Sequence, residues 1–363
     1  MVGKKRIQSV DILRGFTIIA MILVNTPGDW DHVYAPLLHA PWHGLTPTDL
    51  IFPFFLFIVG ISIYFAYKNK KTGGSVYKKI GIRSLKLVGL GLFLNLFTPY
   101  FPFVVDIETL RFPGVLQRIG VVFFIASVLY LNFNWKVLLG ICVSILLGYW
   151  LFLGFMPLPD GTAPTFERAT HNWVNYIDLK VLRYHMWQPD YDPEGLLSTL
   201  PSIVSCLFGV LIGRLLDRFG QLSILFIIAV LLLILGYSFN VVFPINKAIW
   251  SSSFVLVSTG WGCLFLALIY YLSDVKNIQF PPIFKYVGMN AITLYFLSSF
   301  ISKCMYLIKI DETYNLHGWL YHNLFMYKFI DLRTSSLLYA FSVCVFYSLL
   351  AYFMFKKKIF IKV

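Results

Sequence analysis

Pro47-Thr-Asp-Leu-Ile-Phe-Pro53-Phe-Phe-Leu-Phe-Ile-Val-Gly60-Ile-Ser-Ile-Tyr-Phe-Ala-Tyr67 carries no charged side chain between Asp49 and Lys68. A run this long and this continuously apolar reads as a helix able to cross a hydrocarbon layer of about 30 Å. A membrane barrel strand would instead be about ten residues of alternating polarity. Just ahead of the run, Thr46, Pro47 and Asp49 are spaced as an N-cap, a first-turn proline and an acidic third position.

The rest of the chain repeats the pattern. Ten membrane segments are expected, over 10–25, 47–67, 80–97, 114–131, 135–155, 194–216, 223–239, 251–272, 283–308 and 335–355. Of 363 residues, 58% are hydrophobic and 13% charged, and the mean hydropathy is +0.73. Soluble domains carry about a quarter charged residues. The fold class is therefore all-α integral membrane, a polytopic bundle of about ten transmembrane helices forming one domain over 1–363.

A net charge of +13 would raise nucleic-acid binding in a soluble protein. Here the basic residues flank apolar segments and follow the positive-inside rule. Lys4, Lys5 and Arg6, the stretch from Lys68 to Arg83, Arg214 and Arg218, Lys276 and Lys285, and Lys356 to Lys358 all fall on one side. Both termini are expected in the cytoplasm, the partner surface being the bilayer. The first segment reads as an uncleaved signal anchor, since Asp11 and Arg14 intrude and no small-residue cleavage site follows. Five isolated cysteines, without a CxxC pair, indicate neither a disulfide framework nor a zinc site.

The loop Leu38-His39-Ala-Pro41-Trp42-His43-Gly-Leu-Thr46-Pro-Thr-Asp49 has no lysine or arginine and is expected on the outer side. So are a Pro-, Trp- and Tyr-rich loop at about 156–193, long enough to form a small cap, and a second loop at about 311–333.

Several blocks then carry a resemblance: Asp11-Ile-Leu-Arg14-Gly15, Val24-Asn25, the His39 to Asp49 loop, Leu50 to Gly60, Tyr191-Asp192-Pro193-Glu194-Gly195 through Ile203, Asn246-Lys247-Ala-Ile-Trp250 through Ser253, and Gly288-Met289-Asn290 through Tyr295. In these the chain resembles heparan-α-glucosaminide N-acetyltransferase and its bacterial relatives. The resemblance implies transfer of acetyl from cytosolic acetyl-CoA to the amine of a terminal glucosamine-type sugar across the membrane. It also implies a homodimer, and for a bacterial relative the inner membrane. It makes His39 catalytic and sets Asn25 in the same site. Two departures stand out: the chain begins almost at its first shared helix, without the luminal N-terminal portion of the lysosomal enzymes, and His43 replaces an asparagine. The rival expectation is a transporter of amino sugars or cell-wall fragments.

The residues allow these roles beside plainer ones. An imidazole at His39 takes an amine's proton near neutral pH or is itself acylated; its plain role is to hold Trp42 or a loop carbonyl. His43, four residues on with Pro41 between, does not make a helical metal pair, and no metal is expected. Asn25 either donates to a developing oxyanion or caps its helix. Asp49 caps the next helix or orients His39. Asp192 and Glu194 cap a helix or grip a cationic sugar, with His43 and Trp42 as further acceptor contacts. Trp42, Trp173 and Trp187 stack on sugars or anchor at the interface. Asp11 and Arg14 pair with each other or with Gln117 and Arg118. Arg14, Lys79 and Arg83 suit the phosphates of CoA, although no glycine-rich phosphate loop is present. Asn290 packs within the bundle or touches pantetheine.

Overall fold

A computed structural model describes residues 7–219 and 222–361; Lys4, Lys5 and Arg6 lie outside the described residues. Within them the chain forms thirteen α-helices and no strand. They are α1 (Gln8–Asn25), α2 (Ile51–Tyr67), α3 (Gly74–Leu96), α4 (Val115–Asn132), α5 (Trp135–Phe155), α6 (Trp173–Val181), α7 (Thr199–Phe219), α8 (Leu222–Phe239), α9 (Ser252–Tyr270), α10 (Pro282–Met289), α11 (Ala291–Leu307), α12 (Leu316–Phe325) and α13 (Leu332–Lys356).

Eight of the ten expected segments are helices of 18 to 25 residues apolar enough to cross a membrane. The protein is an integral multi-pass membrane protein. Its outward faces fit lipid: α8 exposes Phe226, Ile227, Leu231, Ile234 and Leu235.

Three expected boundaries need correction. The segment at 80–97 begins earlier, at Gly74, and carries Lys78, Lys79, Arg83 and Lys86. The segment at 283–308 is two helices, broken at Asn290, which has φ −120° and ψ 29°. The segment expected from 194 begins at Thr199, because Asp192 makes a turn instead of a helix cap. Its carboxylate accepts from Glu194 N at 2.9 Å and its carbonyl from Gly195 N at 2.9 Å.

Several helix starts are satisfied by nearby side chains, which take up orphan first-turn N–H groups. Asn134 caps α5, Ser251 caps α9 and Asp331 caps α13. For α1 the cap is tertiary: Asp274 accepts from Gln8 N at 3.2 Å and Ser9 N at 3.0 Å.

Among the described residues, the two closest backbone crossings need glycine. A Cβ on Gly60 of α2 would lie 1.9 Å from Cys206 O of α7, and one on Gly15 of α1 would lie 1.7 Å from Phe284 O of α10. Small residues at such contacts let backbones pack in lipid, where no hydrophobic effect drives helices together.

The start of α1 and the described C-terminal segment lie at one end of this bundle. Asn290, beside the α10 residues that pack on α1, donates to Ile359 O at 3.1 Å and accepts from Ile361 N at 3.1 Å. The far end of α1, at Asn25, is about 27 Å away at 1.5 Å per residue.

Candidate active site

The turn 46–50 builds the site. Thr46 N donates to Asp49 Oδ2 at 3.0 Å and Asp49 N to Thr46 O at 3.1 Å, so the expected capping arrangement forms. Ala40 N also donates to Oδ2, at 3.1 Å, folding the preceding loop back over the helix start. Asp49 is left almost wholly buried, with its second oxygen 2.7 Å from His39 Nδ1. Capping and orienting the imidazole are thus one structure. With Nδ1–H as the donor to the carboxylate, the Nε2 lone pair is the one left to act as a base.

His39 is half exposed and borders a cavity of about 720 Å³ at the end of α1, with Asn25, Trp42, Arg111, Trp187, Tyr191, Glu194, Lys247 and Tyr295 in its wall. Asn25 ends α1 but Thr26 is the cap residue, with φ −132° and not left-handed. The helix-cap role for Asn25 therefore does not hold. Its amide takes no hydrogen-bond partner among the described residues and is open to the cavity.

Other expected contacts are distributed differently. Trp42 lines the cavity, with its indole N–H on Phe166 O at 2.9 Å and its ring edge-on to Tyr191 at 5.1 Å. His43 is absent from the wall: Asn246 Nδ2 donates to its Nδ1 at 3.2 Å, and its Nε2 faces Glu167 at 3.2 Å. It ties the loop to neighbouring segments. Asp192 is fully buried and held by Arg111 through contacts of 2.7 and 2.6 Å, and Arg111 also reaches Glu194 at 2.6 Å. Burial disfavours the Arg111 cation, but the two carboxylates outweigh it and hold its pKa above the ordinary value. Of the acidic pair, only Glu194 lines the cavity. Trp187 lies under the Arg111 guanidinium at 5.2 Å, whereas Trp173 packs away from the site on Phe152. The expected cap at 156–193 contains α6, with Arg168 and Asp190 bracing it at 2.6 and 2.7 Å.

Two participants carry no local signal in the sequence. Arg111 sits in a loop with no motif around it. Lys247 stands out only by its place in a resembling block, yet its Nζ lies 3.0 Å from His39 Nδ1, 3.1 Å from Nε2 and 3.8 Å from Asp49 Oδ1. Burial pushes the Lys247 ammonium below its usual pKa, against the pull of Asp49 and Glu194.

At the other end of α1 is a second cavity of about 750 Å³, bordered by Asp11, Arg14, Ser62, Lys68, Asp217 and Asp274. Arg14 pairs with Asp11 at 3.1 Å and donates to Ser62 Oγ at 2.7 Å. Arg118 instead donates to Gly195 O at 3.0 Å and to Ser198. Lys79 and Arg83 do not border this mouth; Arg83 lies over the Phe123 ring at 4.7 Å. A neighbouring hollow of about 240 Å³ has Lys68, Lys70 and Arg214 in its wall and no carboxylate among its described wall residues, although Lys68 pairs with Asp217 beside it. Asn290, with both ends of its amide on the C-terminal tail, borders neither main cavity.

A family model described as heparan-alpha-glucosaminide N-acetyltransferase, catalytic, matches residues 6–224. That range includes Asn25, His39, Asp49, Arg111 and Glu194; Lys247 lies beyond it. The heparan-alpha-glucosaminide N-acetyltransferases of Homo sapiens and Mus musculus are 31% identical over 353 residues and 30% identical over 351 residues. Each alignment covers 80% of this chain, and 52% and 53% of the respective relative. The chain spans about half the length of the curated relatives it matches.

Proposed function

We propose that this chain, which belongs to the heparan-α-glucosaminide N-acetyltransferase family, transfers acetyl from cytosolic acetyl-CoA to the amine of a glucosamine-type sugar on the opposite face of the membrane. The carrying observation is the imidazole of His39 on buried Asp49, facing a roomy cavity that the Asn25 amide also borders. The membrane is the inner membrane of a bacterium, with both termini in the cytoplasm, and the outer loop 156–193 caps the acceptor side.

In a direct transfer the sugar nitrogen attacks the thioester carbon. The C–N bond forms, the C–S bond breaks, the sulfur leaves as a thiolate that takes a proton from solvent, and the nitrogen's proton passes to His39 Nε2. Asn25 donates to the carbonyl oxygen as charge gathers there. In a two-step variant, Nε2 attacks first and the acetyl-imidazole then gives up its acetyl to the amine. Rapid quench separates the two, since only the second accumulates acetyl-His39 without acceptor. The acetyl-CoA arm enters from the mouth near Arg14, with its phosphates at Lys68, Lys70 and Arg214; Lys79 and Arg83 lie outside that set. Trp42, Trp187 and Glu194 contact the sugar.

The test uses the purified full chain in nanodiscs with labelled acetyl-CoA and glucosamine. Acetylated sugar is expected, with His39→Ala at least about 10³-fold slower at unchanged size-exclusion profile. A near-normal rate in that variant overturns the assignment. Unmodified sugar accumulating in proteoliposomes, without acetylation, supports the transporter instead. Light scattering on the same sample tests the expected homodimer.

A further inference from the structure

Lys247 is held in place by a tightly bonded loop. Asn246 Oδ1 accepts from Ile249 N at 3.0 Å, Asn246 N donates to Ser251 Oγ at 3.0 Å, and Lys247 O accepts from Trp250 N at 3.1 Å. Trp250, fully buried, holds φ at +50°, a left-handed conformation that is rare for a bulky residue. Such strain persists only where neighbours over-determine it. Here Ser205 accepts from the Trp250 indole at 3.1 Å and the Arg118 guanidinium lies 5.1 Å from its ring.

The loop delivers an ammonium to His39 in a specific pose. Because Nζ is nearly equidistant from both ring nitrogens, at 3.0 and 3.1 Å, it sits over the ring and not in line with either lone pair. The in-plane direction at Nδ1 belongs to Asp49, and the in-plane direction at Nε2 stays open. Two opposite charges therefore act on one imidazole. A carboxylate this close favours the protonated ring, and a cation this close opposes it.

Lys247 is unsuited to carry acetyl itself. Its acetylated product is an amide, which does not pass its acyl group to another amine, whereas an acetyl-imidazole does. The other charged or titratable groups around the cavity are Arg111, Glu194, Tyr191 and Tyr295. Arg111 is already paired with Asp192 and Glu194, so Asp49 and Lys247 dominate at His39.

We propose that Lys247 is a positioning residue that offsets the buried Asp49 carboxylate, keeping the Nε2 face of His39 unprotonated while Asp49 still fixes the ring's orientation. This rests on the acetyl-transfer reading for its purpose, but not for its measurement.

The experiment titrates His39 by NMR in full-length protein labelled at histidine in nanodiscs, with the signal assigned by its loss in His39→Gln. Lys247→Met, uncharged and of similar length, is expected to raise the His39 midpoint by about one to two pH units. Lys247→Arg is expected to leave it within a few tenths, and Asp49→Asn to lower it. In the double variant Asp49→Asn with Lys247→Met the midpoint returns toward that of the parent protein. The acid limb of kcat/KM moves up with the midpoint in Lys247→Met. An unmoved or lowered midpoint in that variant, with Lys247→Arg folded alike, overturns the proposal. A raised midpoint in a protein that acetylates nothing retains the charge offset and removes the transferase reading.

Discussion

His39 is set in place by an aspartate whose backbone role comes first. Asp49 is where the start of α2 needs an acceptor, and the same carboxylate holds the imidazole at 2.7 Å. Asn25 tests the other half of the chemistry. Asn25→Ala is expected to lower kcat about 10²-fold with little change in the KM for acetyl-CoA, since it removes a donor that matters only as charge develops. An unchanged kcat removes it from the mechanism. A second prediction concerns stability. Asp178 in α6 is fully buried; Oδ1 accepts from Leu196 N at 3.0 Å, while Oδ2 has no partner among the described residues. Burial raises its pKa to about 6 from 3.8. Between those values the folded protein binds more protons than the unfolded chain, so stability falls as pH rises through about 6. The loss is about 3 kcal/mol above that range. Asp178→Asn is expected to flatten this dependence, with a higher Tm than the parent at pH 7.5 and little difference at pH 4. Parallel pH curves for the two proteins refute it.

At the scale of elements, the glycines divide into two kinds. Gly60 and Gly15 sit where α2 meets α7 and α1 meets α10, with no room for a Cβ. Gly60→Val is expected to leave no monodisperse protein in detergent size exclusion, because backbone atoms cannot shift as a side-chain tip can. Gly89, inside α3 with nothing within 4 Å of a Cβ, provides the contrast. Gly89→Ala is expected to fold normally and to raise Tm slightly, by up to about 1 kcal/mol of helix propensity. A folded Gly60→Val protein contradicts the packing argument. Gly15 and Gly60 were legible as parts of sequence blocks, but their reason is a crossing between elements far apart in the chain.

For the molecule as a whole, the consequential feature is a pair of cavities at opposite ends of α1, one bordered by His39 and the other by Arg14. Their wall residues Asp11 and Asn25 are about 21 Å apart along α1, so the two cavities together reach across most of a hydrocarbon core of about 30 Å. With Cys304→Ser as background, Leu38→Cys is expected to react with an impermeant maleimide from outside right-side-out vesicles. Lys70→Cys is expected to react only after inversion. The reverse pattern overturns the proposed sidedness and with it the direction of transfer.

Continuous apolarity is a local property, so the sequence alone established a helical membrane bundle and placed most segments within a few residues. The Thr46-Pro47-Asp49 cap was legible for the same reason, since the two reciprocal hydrogen bonds that define it join residues three apart. Tertiary structure decided what lies beyond that reach. The break at Asn290 is stabilised by a tail about seventy residues on, Asp192 is engaged by Arg111 instead of opening a helix, and Lys247 meets His39 across 208 positions. Side-chain charges act through space while sequence patterns act along the chain. An imidazole between a carboxylate and an ammonium becomes visible only once the helices have packed.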